Sequence, residues 1–245
     1  MYNIYNTKKM KAHLPPAPHN PNFHQHNLAV NKHLLVCGKT GSGKTNWLLN
    51  YIRVMQDVFS HIHIFTKDAD EPAYNLLNSQ LKDRVTIRGL NEIPNVKDLE
   101  QYGGENLVVF DDFITEGKKI LEVLKQYAII GRKKHCTCCY LTQAYYAVDN
   151  KLRQQCSYLV LLNSTNQQNL NLIATTLSSP VSRDTIKNII GNATKESLNV
   201  CLIDICNPDF NKVFRRNFYD YYEIINENGD ELTRIKMYVG SGILN

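Results

Sequence analysis

The stretch HLLVCGKTGSGKTNWLLNYI, residues 33–52, decides the fold. Leu34-Leu35-Val36-Cys37 is a short apolar run of the kind a buried parallel strand needs. It breaks into Gly38-Lys39-Thr40-Gly41-Ser42-Gly43-Lys44-Thr45, which fits the phosphate-loop pattern G-x-x-x-x-G-K-[ST]. Trp47, Leu48, Tyr51, Ile52 and Met55 then recur at helical spacing. Glycines let the backbone turn sharply and aim its N–H groups at phosphate oxygens, and the following helix adds its positive N-terminal end. In such a loop Lys44 reaches the β- and γ-phosphates of ATP, and the Thr45 hydroxyl ligates Mg²⁺. ATP and Mg²⁺ are therefore the expected cofactors.

Outward from this stretch, strands and helices alternate, as in an α/β protein with a parallel sheet. Strands are predicted at 62–65, 85–87, 107–110, 136–142, 158–162 and 200–205, with helices at 72–81, 119–130, 167–177 and 183–190. The chain divides into an arm (1–30), a nucleotide-binding domain (31–218) and a tail (219–245). The arm is expected to be extended, because LPPAPHNPN is rich in proline and has no periodicity. The tail alternates around Asn228-Gly229, a hairpin signal.

The strand NLVVFDDF ends in Asp111-Asp112. An acid at the C-terminal end of a strand beside a phosphate loop can hold Mg²⁺, the role expected of Asp111. Asp112 is then placed to orient and deprotonate the attacking water, with Glu116 as a second candidate. Gln143, polar at the end of the apolar run CTCCYLT, is expected at the same sheet edge as a γ-phosphate sensor. Arg132 (IIGRKKH) and Arg153 (DNKLRQQ) are candidates for an arginine supplied to a neighbouring subunit's ATP. The alternative for each is a solvated basic helix end favoured by the dipole.

Hydrophobic residues make up 43% and charged residues 21%, proportions that fit a globular protein rather than a disordered one. No apolar run approaches the ~18–20 residues of a membrane span and the N-terminus lacks a signal-peptide pattern, so the expected setting is cytosolic. Net charge is +5, unevenly placed: residues 1–56 hold seven Lys/Arg and no Asp or Glu. That segment reads either as a solvated arm plus the loop's own lysines, or as an arm for nucleic acid or an acidic partner. Cys136 and Cys139 have metal-ligand spacing, with Cys201 and Cys206 as conceivable partners. The first pair sits in a strand-like run, where thiols behave as small apolar side chains.

The order GKTGSGKT, VVFDD, GRKKH ahead of a strand ending in LTQ, then LRQQCSYLVLL, resembles the FtsK–HerA superfamily of P-loop ATPases. Within it the chain is most similar to the genome-packaging ATPases of large DNA viruses, poxviruses and virophages. The resemblance covers about residues 30–218. It implies an additional-strand, RecA-like P-loop NTPase with a mostly parallel central sheet flanked by helices. It implies a homo-oligomeric ring that pumps double-stranded DNA into a preformed capsid, in a viral factory of the host cytoplasm or in the virion. A capsid or membrane-associated partner goes with that role. Arg183, Lys187, Lys195, Arg215 and Arg216 are candidate DNA contacts by charge alone. A cellular-type DNA translocase of the same superfamily, a P-loop kinase, and a module that uses ATP only for assembly remain alternatives.

Overall fold

The central strands are nearly continuous apolar runs whose successive side chains point to opposite faces, so they build a core on both faces of one sheet. In the computed structural model, residues 8–11, 17–163, 166–177, 181–227 and 230–237 are described. The strands are β1 (His33–Cys37), β2 (Phe59–Thr66), β3 (Val85–Gly89), β4 (Glu105–Asp111), β5 (Cys136–Thr142), β6 (Cys156–Leu162), β7 (Val200–Asp204), β8 (Phe214–Arg216), β9 (Asp220–Glu227) and β10 (Asp230–Met237). The helices are α1 (Lys8–Lys11), α2 (Phe23–His26), α3 (Lys44–Val54), α4 (Pro72–Leu81), α5 (Lys118–Ile130), α6 (Asn150–Gln155), α7 (Gln167–Leu177) and α8 (Arg183–Ala193).

The ten strands lie in the order β10-β9-β8-β7-β6-β1-β5-β4-β2-β3. From β3 to β6 every neighbour is parallel; from β6 to β10 every neighbour is antiparallel. The mostly parallel, additional-strand arrangement is therefore present: β5 is inserted between β1, which feeds the glycine loop, and β4, which ends in Asp111. Leu35, Val108, Phe110 and Leu161 point to the face covered by α5, α6, α7 and α8. Leu34, Val36, Val109 and Val160 point to the face covered by α3 and α4. Tail strands β9 and β10 pair antiparallel, residue 227 opposite 230, as a hairpin requires. The expected turn at Asn228-Gly229 lies outside the described residues.

The cysteines follow the same alternation. Cys136 and Cys138 belong to one core and Cys139 to the other. The two thiols spaced for a metal thus face opposite sides of β5. Burial pushes the Cys136 thiol up to about 12.

Residues 20–31 correct the expectation of an extended arm through residue 30. Phe23–His26 is one helical turn, and Leu28 is fully buried. The backbone N–H of Ala29 donates to Tyr158 Oη at 2.9 Å, and that of Asn31 to Thr137 Oγ1 at 2.9 Å. The physical cause is a buried cation that sequence periodicity does not reveal. Arg215, fully buried, donates to the carbonyls of His26 (2.7 Å) and Asn27 (3.4 Å), lies 3.5 Å from Asp204, and stacks on the Tyr221 ring. Carbonyls at the end of a helical turn suit a positive partner. Arg215 is therefore not a surface contact for DNA, and Arg216 pairs with Asp220 at 2.8 Å.

Removing one member of such a buried set leaves the others unpaired, which costs about 3–5 kcal/mol. Arg215→Ala should lower the unfolding free energy by that order in a urea titration; a change below about 1 kcal/mol would show that the arginine does not hold the segment.

Candidate functional site

Parallel pairing carries the ends of β1, β4 and β5 to one edge. Cys37 is level with Thr142, and Asp111 is level with Leu141. The N–H of Gly38 donates to the Thr142 carbonyl at 3.0 Å, tying the start of the loop to β5. The loop then turns back on itself, with Ser42 N–H donating to the Lys39 carbonyl at 3.1 Å. Two positions demand glycine. A Cβ on Gly38 would come within 2.4 Å of Ser42 Oγ and 2.9 Å of Leu162 Cβ. Gly43, the N-cap of α3, has φ of +97°, outside the range of other residues.

The loop has room and donors for an anion. Lys44 Nζ folds back onto the carbonyls of Gly38 (2.9 Å) and Lys39 (3.2 Å), so its charge has no carboxylate partner there. Ser42 Oγ is buried without a hydrogen-bond partner. The Thr45 hydroxyl sits in the first turn of α3, where the unpaired N–H groups favour negative charge.

Opposite the loop stands the end of β4. Asp111 is buried, and its Oδ2 accepts from Tyr74 Oη at 2.7 Å. Burial pushes its carboxyl pKa up, while the Tyr74 hydrogen bond and the Lys44 charge pull it down. Asp112 adopts φ of +52°, which Asp tolerates better than most residues. Its Oδ1 accepts from Gln143 Nε2 at 3.0 Å, so the expected base and the expected sensor touch. Glu116 is held by Lys67 at 2.9 Å, which ties this second candidate base to another charge. Arg132 is exposed and donates to Gln155 Oε1 at 3.3 Å. It precedes β5 at the edge opposite Gln143, roughly 20 Å away along a seven-residue strand. It does not reach its own loop. Arg153 donates to the Tyr145 carbonyl at 3.4 Å and lies over that ring at 4.9 Å.

Two further residues reach the site from α4. Tyr74 supplies the bond to Asp111. Glu71, the N-cap of α4, makes no capping bond of its own; its carboxylate lies near the Thr45 hydroxyl, which lowers its pKa. Burial raises the Glu71 pKa, the nearby Thr45 hydroxyl opposes this, and Asp111 and Asp68 raise it further. The available signal was Glu71-Pro72, since proline at the first helical position fixes where α4 starts. Nothing in the sequence showed that this helix begins beside the loop.

The hydroxyl of Thr45 with the carboxylates of Asp111 and Glu71 offers hard oxygen donors, which suit a divalent cation such as Mg²⁺. Among the described residues no cluster of three or more His, Cys, Asp or Glu side chains makes a metal site by itself. A cation here would thus share its ligands with phosphate oxygens. A cavity of about 460 Å³ lined by Ile52, Met55, Leu77 and Arg84 lies toward the far end of α3, away from the loop.

A family model described as "Poxvirus A32 protein" matches residues 20–214. No curated protein matches. Among solved structures, the DNA-packaging ATPase B204 from Sulfolobus Turreted Icosahedral Virus superposes with a TM-score of 0.52 at 12% identity, covering 72% of this chain and 93% of that one. The genome packaging NTPase B204 from Sulfolobus turreted icosahedral virus 2 in complex with AMP gives 0.53 at 13% identity, covering 76% and 96%. The same NTPase in complex with ATP-gammaS gives 0.51 at 13%, covering 76% and 96%. At such identity these likenesses establish the shared fold.

The buried Asp111 predicts a measurable trade between stability and site chemistry. A carboxyl whose pKa is raised by folding is easier to ionise in the unfolded chain, so it costs stability once pH rises above the unfolded value near 3.8. Asp111→Asn keeps an acceptor for Tyr74 and removes the charge. Its melting temperature should exceed that of the native chain at pH 7, and the gap should close as pH falls below about 4. A variant less stable than the native chain at pH 7 would contradict this.

Proposed function

The chain belongs to the poxvirus A32 protein family, and from that premise we propose that it is an ATP-hydrolysing motor that drives double-stranded viral DNA into a preformed capsid. One observation carries the ATPase half of this reading: the loop Gly38–Thr45, Asp111 and the Asp112–Gln143 pair converge on one sheet edge. The motor half draws support from the family and from the structural likeness to viral packaging ATPases.

The loop backbone receives the triphosphate, and Lys44 exchanges its two carbonyl partners for β- and γ-phosphate oxygens. Thr45 and Asp111 would hold Mg²⁺, with Glu71 orienting the Thr45 hydroxyl, and a cation there would neutralise phosphate charge. Asp112 accepts a proton from the attacking water, and its contact with Gln143 lets that amide hold the water and report the γ-phosphate. Arg132 stands at the opposite end of β5, and Arg153 is held on Tyr145. We assign Arg132 to the neighbouring subunit's ATP, with Arg153 as the second choice, which makes the site complete only in a ring.

DNA is held through its phosphates, because a packaging motor must accept every sequence. Arg183 and Lys195 are exposed and suited to this, whereas Arg215 is not. The basic N-terminal segment serves as a second contact, for DNA or for a capsid or membrane-associated partner. The described residues contain no helix long and apolar enough to cross a membrane. The place of action in this reading is the viral factory and the virion.

The test is ATP turnover with and without long duplex DNA. Turnover should rise on adding duplex of any sequence, and the gain should fade with salt. Lys44→Ala should weaken ATP binding. Asp112→Asn should leave binding within a few-fold and cut turnover by about 10² or more. A chain whose turnover ignores DNA across the salt range is not a packaging motor.

A further inference from the structure

A leucine occupies a backbone conformation that leucine avoids, directly beside the phosphate loop. Residues 196–199 form a turn closed by Asn199 N–H donating to the Glu196 carbonyl at 3.2 Å. Leu198, third in the turn, has φ of +66°. Glycine or asparagine is the usual occupant of that position, since a branched side chain crowds the carbonyl there. The turn holds its shape because it is braced by Asn217, the residue after β8. Asn217 Nδ2 donates to Asn199 Oδ1 at 2.9 Å, Asn217 Oδ1 accepts from Val200 N–H at 3.0 Å, and Asn217 N–H donates to the Val200 carbonyl at 2.9 Å. A strained residue locked in place by its neighbours points to a use for its side chain.

The side chain does not serve the core. Leu198 is 60% exposed, a large apolar group left in water. Its Cδ2 lies against the backbone of Gly43, within 3.0 Å of where a Cβ would be. Leu162, at the end of β6, flanks the same side of Gly43, its Cδ2 3.9 Å from that Cβ position.

Sheet order then says what lies over it. β1 has β5 and β4 on one side, with Asp111, Asp112 and Gln143 at their ends. On the other side lie β6 and β7, and Leu198 precedes β7. A nucleoside triphosphate whose γ-phosphate faces the acids must trail its ribose and base away from them, across Gly43 toward β6 and β7. From this placement we propose that Leu198 is the apolar seat of the nucleobase, packing on the face of the ring. The proposal deepens the ATPase reading and rests on it. A leucine has no donor or acceptor, so it holds a base without reading its edge, and ATP and GTP should depend on it alike.

The test compares ligands with and without a base. Leu198→Asn and Leu198→Gly both tolerate positive φ, so they remove the apolar surface and relieve the strain; their melting temperatures should equal or exceed the native value. ATP affinity should fall about tenfold in each, and tripolyphosphate affinity should stay within twofold. Leu198→Met should retain most of the ATP affinity. ATP affinity unchanged in both polar and glycine variants would overturn the proposal while leaving the ATPase reading intact. An equal loss for tripolyphosphate would overturn it too, placing the effect in the loop backbone. Loss of self-association with ATP affinity intact would overturn it in favour of a contact between copies. A native chain that binds neither ATP nor tripolyphosphate would overturn the ATPase reading, and this proposal with it.

Discussion

Parallel pairing of β5 between β1 and β4 is the constraint on which the site depends. A parallel sheet brings like ends of its strands to one edge, so residues distant in sequence arrive together without any contact being specially arranged between them. Gly38 is tied to Thr142, Asp111 stands level with Leu141, and Gln143 then touches Asp112. A slip of one residue in the β4–β5 register would turn every side chain of one strand to the other face and separate that last pair. The two apolar cores hold the register: alternate residues of the same strands fill different cores, so neither strand can slip without exposing both.

Around that edge the chain accepts unfavourable local states that packing elsewhere sustains. Asp111 is a buried carboxyl: burial raises its pKa, and Tyr74 and Lys44 oppose that rise. Asp112 and Leu198 sit at positive φ, on either side of the loop. Such positions persist only where the surroundings over-determine them, and they collect at sites that must be preorganised. Arg215 shows the contrasting case. It is a buried charge, but its partners are the carbonyls of the N-terminal segment and Asp204, and it fixes architecture rather than chemistry.

Much of this was legible in the sequence, for identifiable reasons. The glycine loop declared itself because its residue types are dictated by backbone geometry and phosphate chemistry, and Asp111-Asp112 because acids end an otherwise apolar strand. Helix α4 at Pro72–Leu81 and helix α7 at Gln167–Leu177 match their predicted limits, since apolar periodicity records which face is buried. What stayed hidden depends on contacts between segments remote in sequence. Glu71 and Tyr74 look like an ordinary helix start until α4 is placed beside the loop. Residues 20–31 look like a proline-rich arm until Arg215, nearly two hundred residues on, supplies their partner. Leu198 looks like any surface leucine until its φ is known.

The central claim is that this edge takes a nucleoside triphosphate with its terminal phosphate between the loop and the acids. A crystal structure of the chain with a non-hydrolysable ATP analogue and Mg²⁺ tests it directly. Lys44 Nζ should leave the Gly38 and Lys39 carbonyls for β- and γ-phosphate oxygens, the γ-phosphate should face Asp112 and Gln143, and the base should rest on the Leu198 side of Gly43. An analogue bound elsewhere, or one in this loop with Lys44 still on its own carbonyls, would contradict it.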